Sequence, residues 1–273
     1  MPCWICITCG AQFPESAEPP AECAICEDER QYVGLDGQKW STPEQLGTQF
    51  RNRIEPEEPG LTSFHIDAEG GKKFGIGQRA FLLEAPGGNV LWDCIALLDD
   101  ATRRYIRDRG GLSAIAISHP HYYTAMVDWS RSFGDAPVWL HEADRQWVMR
   151  PDERIRFWSG DAHPLNNGLT LIRCGGHFPG GTVLHWPAGA AGRGALLSGD
   201  IVQVAPDRRW VGFMYSYPNY VPLSATTVRR VAAAVEPYAF DRIYGAFPHM
   251  TVQRNGRAAI RRSAERHIRF ITD

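Results

Sequence analysis

Two cysteine pairs near the start of the chain, Cys6-x2-Cys9 and Cys23-x2-Cys26, leave that segment few ways to fold. The stretch between them is polar and carries Pro14, Pro19 and Pro20, so it reads as a loop. Nothing else there could build a hydrophobic core. Each pair reads as a knuckle, a tight turn that aims two thiolates at one tetrahedral ion. Gly10 supplies the permissive backbone that such a turn needs. Four thiolates on one metal would then be what folds the segment. The alternative is a set of reactive or unpaired thiols. The spacing does not choose between zinc and iron. Zinc would make the module structural or an interaction platform, and iron would make it an electron carrier. Cys3 is a spare, expected to pack beside the knot.

The rest of the composition sets ordinary bounds. At 273 residues the chain has room for one large domain and a small appendage. A formal net charge of -2 gives no push toward nucleic acid or an anionic membrane. No run of about 18 apolar residues is present, so no transmembrane helix is expected. Met1-Pro2-Cys3-Trp4 lacks the basic-then-apolar layout of a signal peptide. A cytoplasmic protein is the expectation, and reducing conditions favour a metal knot over disulfides. Cys94 and Cys174 lie in apolar surroundings and are expected to be buried, inert thiols.

The expected organisation is a four-cysteine module over 1–34, a linker with a short helix over 35–61, and a large domain over 62–273. The helix runs from Pro43 to Phe50, and Glu55-Pro56-Glu57-Glu58-Pro59-Gly60 acts as a breaker. Gln78 to Glu84 and Val90 to Cys94 form a hairpin around Pro86-Gly87-Gly88-Asn89. Gly75-x-Gly77 is not a dinucleotide fingerprint, since it leads into a strand and lacks a third glycine. Asp99 or Asp100 caps a helix that ends at Gly110-Gly111. Further strands are expected at Pro137 to Leu140, Gly168 to Cys174, Thr182 to Trp186, Ala195 to Leu197 and Phe240 to Tyr244. Helices are expected after His121 to about Phe133, at Trp147 to Trp158, at Leu223 to Val235 and at Val252 to Ile271. The arginines of the last helix read as a solvated face.

In Ile115-Ala116-Ile117-Ser118-His119-Pro120-His121 an apolar run ends in two histidines one residue apart. The run reads as a buried strand. Pro120 favours extended backbone at His119. Two imidazoles placed so can converge on a metal, or can simply be polar residues closing a strand. His177 sits in Gly175-Gly176-His177-Phe178-Pro179-Gly180-Gly181, and Asp200 ends Ser198-Gly199-Asp200. Each follows a predicted strand. His141 has no partner motif and reads as a helix-start histidine rather than a pocket residue.

These pieces together resemble the metallo-β-lactamase superfamily over roughly Ser63 to Asp273. They are the hairpin ending at Asp93, the histidine pair, the Gly-Gly-His turn and Ser-Gly-Asp. The resemblance implies an α/β fold, an αββα sandwich with its metal cleft at one edge between the sheets. It implies that His119, His121 and His177 are ligands and that Asp200 is the bridging aspartate. Two departures stand out: Tyr123 and Thr124 replace the family's next aspartate and histidine. The family's late histidine is also missing, with Ala246 or Phe247 in its place and His249 displaced. A single cleft metal is therefore expected. The first 30 residues or so resemble zinc ribbons and the rubredoxin-like domains of rubrerythrins, on Cys6, Cys9, Gly10, Cys23 and Cys26.

The expected activity is hydrolysis of a small ester, thioester, lactone or amide at a mononuclear metal, with Asp200 as ligand or water-orienting group. Zinc is expected in both sites, and iron fits either. Tyr122 and Tyr123 are candidate oxyanion donors, or aromatic filling of the vacated second site. Tyr215, Tyr217, Tyr220 and His249 are candidate pocket residues. The competing readings are a mononuclear iron redox enzyme, like persulfide dioxygenases or rubredoxin-coupled proteins, and a degenerate binding protein without catalysis. The expected partner is a small-molecule substrate, with no nucleic acid or membrane; the oligomeric state is left open.

Overall fold

A computed structural model describes residues 1–67, 74–165 and 168–273. Two large sheets pack face to face. A seven-stranded sheet runs in the order Ile155–Trp158, Val138–His141, Ala114–Ala116, Val90–Trp92, Arg79–Leu83, Leu61–Asp67, Arg51–Glu58. A six-stranded sheet runs in the order Ala162–Pro164, Thr170–Arg173, Thr182–Trp186, Ala195–Gly199, Arg242–Gly245, Thr251–Val252.

Alternation along the strands explains the layering. Side chains of a strand point to opposite faces at period two. Phe81, Leu83, Val90, Trp92, Ala114 and Ala116 face the other sheet and meet Leu171, Leu184, Trp186 and Leu197 there. Their neighbours Ala80, Leu82, Leu91 and Ile115 face outward and pack with Ile106, Met126 and Trp129 of the helices Asp100–Arg107 and Met126–Ser132. On the far side Ile172, Val183, Leu196 and Ile243 meet Val228, Val231, Ala259 and Ile260 of the helices Ala225–Val235 and Gly256–Thr272. The result is an αββα sandwich. None of the described helices is long and apolar enough to cross a membrane.

The N-terminal residues form a three-stranded sheet, Gln12–Glu15, Cys3–Cys6 and Trp40–Ser41. Helix Pro43–Gln49 follows, opened by a capping box in which Thr42 and Gln45 satisfy each other's backbone. Ile5, Leu46 and Phe50 pack against Phe74, Ala96 and Leu97, which anchors the module to the sandwich.

Three sequence expectations are corrected. Part of the expected linker, Arg51–Glu58, is the outer strand of the seven-stranded sheet, paired along its length with Leu61–Asp67. Its Pro and Glu residues are tolerated because this is an edge, where the ladder has one open side; the register shifts between Pro56 and Glu58. The expected helix over Trp147 to Trp158 is absent. A 3-10 turn, Glu142–Trp147, ends there, and Ile155–Trp158 pairs in parallel with Val138–His141. Pro151 interrupts any helix, and the following β-branched and aromatic residues suit a strand. The last helix begins at Gly256, because Thr251–Val252 adds an edge strand.

Candidate metal centre

The histidine pair lies where a central strand runs out. Strand Ala114–Ala116 is flanked in parallel by Val90–Trp92 and Val138–His141. His119 beyond it is extended, at φ -172 and ψ 174, as the residue before a proline should be. Pro120–Tyr122 then turns in a 3-10 helix and brings His121 back beside His119. Asp93 fixes this exit: its Oδ1 accepts the Ser118 N–H at 2.7 Å. Burial raises the Asp93 carboxyl to about 7, against the Ser118 backbone bond and His119, which lower it.

The other sheet supplies the remaining donors. His177 sits in the turn between Thr170–Arg173 and Thr182–Trp186, closed by Cys174 and Gly175 N–H groups on Gly181 O. Gly181 has no room for a side chain, since a Cβ there would lie 2.7 Å from Ile201 and 2.9 Å from Gly175 O. Gly199, at φ +52, would carry a Cβ 2.7 Å from Ser118 Oγ; its absence lets Asp200 approach the histidine strand. Thr182 N donates to Ser118 O at 2.9 Å and ties the two sheets at this edge.

His119, His121, His177 and Asp200 thus converge, each offering a ligand atom within 4.8 Å of the others. They are 1%, 3%, 1% and 3% exposed. His119 Nε2 and Asp200 Oδ1 are 2.8 Å apart, yet neither has a hydrogen-bond partner of acceptable geometry. His177 Nε2 is 3.3 Å from His121 Nδ1 and 3.9 Å from Asp200 Oδ1. His177 Nδ1 faces the carbonyls of Tyr215 at 2.8 Å and Met214 at 3.2 Å, so it carries the proton and leaves Nε2 as a bare lone pair. His119 Nε2, His121 Nε2 and Asp200 Oδ1 are all buried without a hydrogen-bond partner, and a bound cation would satisfy them. Three imidazoles and a carboxylate suit a zinc-like ion, whose ligand bonds of about 2.0–2.2 Å match this clustering. Burial lowers His177 to about 4 and pushes His121 well below the imidazole range. Burial opposes ionisation of Asp200, but His119 and His177 overcome it and hold the carboxyl well below its usual value.

The four cysteines form a second cluster, all buried. Cys6 Sγ is 3.5 Å from Cys26 Sγ, and Cys9 Sγ is 3.6 Å from Cys23 Sγ. Four sulfurs about 2.3 Å from one ion would lie about 3.8 Å apart, so the cluster is close to the size of a tetrahedral thiolate site. Gln38 Nε2 donates to Cys6 Sγ at 3.2 Å, the kind of support a ligating thiolate receives. All seven cysteines are free. Cys94 and Cys174 are buried, and burial raises both thiols.

The remaining candidates divide. Tyr122 is fully buried, its ring 5.3 Å from His119 and its hydroxyl donating to Ala246 O at 3.0 Å. Tyr123 is also buried. Tyr217 stands 5.7 Å from the His177 ring, and its hydroxyl donates to Asp200 O at 2.9 Å. Tyr215 offers the cluster its backbone carbonyl, while its hydroxyl donates to Glu29. Tyr220, at φ 58 on a turn, is 85% exposed. His249 is likewise exposed, on a turn closed by Met250 N on Phe247 O, and outside the cluster. His141 caps the 3-10 turn through Nδ1, which accepts from Ala143 N.

Several residues around the cluster escape a reading of the sequence. Phe178 packs its ring on His119, His121 and His177 at 5.0–5.5 Å. Arg30 covers Phe178, with its guanidinium 4.7 Å from that ring and its Nε donating to His177 O at 2.8 Å. Gln78 Nε2 donates both to Cys9 O and to His121 O. Asp144 Oδ1 accepts from Gly180 N, while its Oδ2 is buried without a partner. Only the proximity of His177 to Phe178 was visible in the sequence; the others come from distant segments.

A sandwich of this topology with histidine and aspartate donors at its edge defines a protein of the metallo-β-lactamase fold. Solved structures agree. The DIM-1 metallo-β-lactamase aligns with a TM-score of 0.60 at 14% identity, over 81% of this chain and 98% of that one. The FIM-1 enzyme from Pseudomonas aeruginosa, in its mono-zinc form, aligns with a TM-score of 0.60 at 13% identity, over 81% and 97%. No family model matches the chain. The chain belongs to the family of YmaE, an uncharacterized protein of Bacillus subtilis (strain 168), which is 48% identical over 99% of this chain and 97% of that protein.

Proposed function

We propose that the chain is a metal-dependent hydrolase of a small ester, thioester, lactone or amide. His119, His121, His177 and Asp200 would hold one zinc ion, and Cys6, Cys9, Cys23 and Cys26 a second, structural one. The observation that carries this reading is the pair His119 Nε2 and Asp200 Oδ1, buried, 2.8 Å apart and without hydrogen-bonding geometry. Bound there, a divalent metal supplies an activated water and a Lewis acid for a carbonyl.

The chain's own residues have definite tasks. Met214 and Tyr215 carbonyls hold the proton of His177 on Nδ1, which keeps Nε2 a donor of electrons. Ser118 Oγ, 2.9 Å from His119 Nδ1, orients the first imidazole. Asp200 adds the one negative charge among the four ligands and stays ionised. Phe178 and Tyr122 exclude bulk water, which strengthens electrostatic effects inside the site. Tyr122 fills space rather than donating to an oxyanion, because its hydroxyl is committed to Ala246. Tyr123 occupies the place of a second-site ligand, which supports a single ion.

The test is a panel of small acyl compounds offered to the wild type and to His119→Ala, His177→Ala and Asp200→Asn. Hydrolysis lost in all three supports the reading; hydrolysis that persists without His119 and His177 refutes it. A second reading is favoured by one contact. Gln78 bonds the backbone of one ligand in each cluster, so with iron in both it would offer a short route between the centres. Iron in place of zinc in the purified protein would select it.

A further inference from the structure

We propose that Arg30 is the gate of the histidine site, and that release of residues 28–31 from the 175–181 and 215–219 segments is how substrate enters. This rests on the hydrolase reading above. The four ligands are almost wholly shielded from solvent. Above them lies Phe178, 1% exposed, and above Phe178 lies Arg30, whose side chain is 13% exposed. Arg30 is wedged between the rings of Phe178 and Tyr215, at 4.7 and 4.5 Å. On this side a molecule meets Arg30 first and Phe178 second.

The two margins of the N-terminal module are held differently. One margin is buried and apolar: Ile5, Leu46 and Phe50 against Phe74, Ala96 and Leu97, with the buried amide of Gln78 between Cys9 and His121. The other is polar and only partly shielded from solvent. Asn219 Nδ2 donates to Glu29 O at 3.0 Å and to Gln31 O at 2.9 Å. Ser216 Oγ donates to Arg30 O at 3.1 Å, and Asp28 holds Arg30 Nη1 by two bonds of 2.8 Å. Bonds of this second kind exchange with water at small net cost, whereas the buried ones do not. The segment lies just beyond Cys26, so it can lift while the four-cysteine knot stays closed. Asp28 moves with Arg30 and keeps the guanidinium paired, which lowers the barrier to lifting. The gate thus belongs to the module, and the cleft opens along the Arg30 margin.

Cobalt(II) replacement reports the two sites separately, because thiolate ligation gives intense charge-transfer absorption and imidazole–carboxylate ligation gives weak visible bands. The full-length protein is loaded with cobalt and mixed with excess EDTA. We expect Arg30→Ala to lose the weak-band cobalt about tenfold faster than wild type or more, in keeping with loss of a charge-assisted bond, while the thiolate signal decays at its normal rate. Arg30→Lys should fall between. Asn219→Ala frees the same segment without touching Arg30 and should also accelerate the loss; it decides the matter if Arg30→Ala disturbs the thiolate signal. Wild-type rates in both alanine variants would overturn the gate while leaving the hydrolase reading intact. A wild type that takes up no cobalt in the imidazole site would overturn both.

Discussion

Cys9 and His121, one from each cluster, offer their backbone carbonyls to the same side-chain nitrogen, Gln78 Nε2, at 2.8 and 3.0 Å. Both of its hydrogens are thereby used. The contact makes the knot part of the wall behind the histidines. Replacing Gln78 with Leu leaves two buried acceptors without donors. Denaturant unfolding should show a loss of about 2–6 kcal/mol, from roughly 1–3 kcal/mol for each of the two unsatisfied groups. An unchanged unfolding midpoint would mean that the bridge is incidental.

Tyr122 gives a prediction about separation of roles. Its hydroxyl donates to Ala246 O in a fully buried setting. Tyr122→Phe should cost about 1 kcal/mol or slightly more in stability. Turnover should change far less than the roughly 10²-fold seen when an oxyanion donor is deleted. Stability from unfolding and kcat from a steady-state assay check the two halves.

Asp144 should make stability depend on pH. Burial raises its carboxyl to about 6, against the Gly180 backbone bond, which lowers it. A carboxyl whose folded value lies above its unfolded value binds its proton more tightly when folded. The contribution to stability is therefore greatest below about pH 4, falls as the pH rises to about 6, and is level above that. Asp144→Asn keeps an acceptor for Gly180 N and lacks this slope. Its stability relative to wild type should rise across that window, by on the order of 2–3 kcal/mol at about 1.4 kcal/mol per unit. Urea titrations at pH 5 and pH 7.5 with equal relative stabilities would contradict this.

Much of the site was legible because its donors stand at strand ends. Ile115 to Ile117 marks a buried strand by its apolar run, so His119 and His121 had to lie at its exit. The glycines around His177 and before Asp200 stand where the backbone is approached closely, Gly181 by Ile201 and Gly199 by Ser118. What stayed hidden depends on distance along the chain. Arg30 meets His177 across 147 residues, and no local pattern encodes that contact. Arg51–Glu58 hid for a different reason: an edge strand with half-exposed charges and a proline carries a weak apolar period. Ile155–Trp158 was masked because Trp147, Phe157 and Trp158 suit a buried helix as well as a strand.

The four-cysteine cluster should bind metal independently of the histidines. A Cys6→Ser, Cys23→Ser double variant should lose the thiolate-bound ion. It should also unfold locally, since Cys6, Cys9, Cys23 and Cys26 make up most of that small core. Amide hydrogen exchange over residues 3–41 should rise while the Ala195–Gly199 strand stays protected. Protection kept over 3–41 would show that the module folds without its metal.

His119, His121, His177 and Asp200 are proposed to form a metal site. Elemental analysis of the purified full-length protein, wild type beside a His119→Ala, His177→Ala double variant, tests it most directly. The double variant should carry one ion fewer per chain, retain the thiolate-bound ion, and keep the circular dichroism of the wild type. Equal metal content in the two proteins would contradict it.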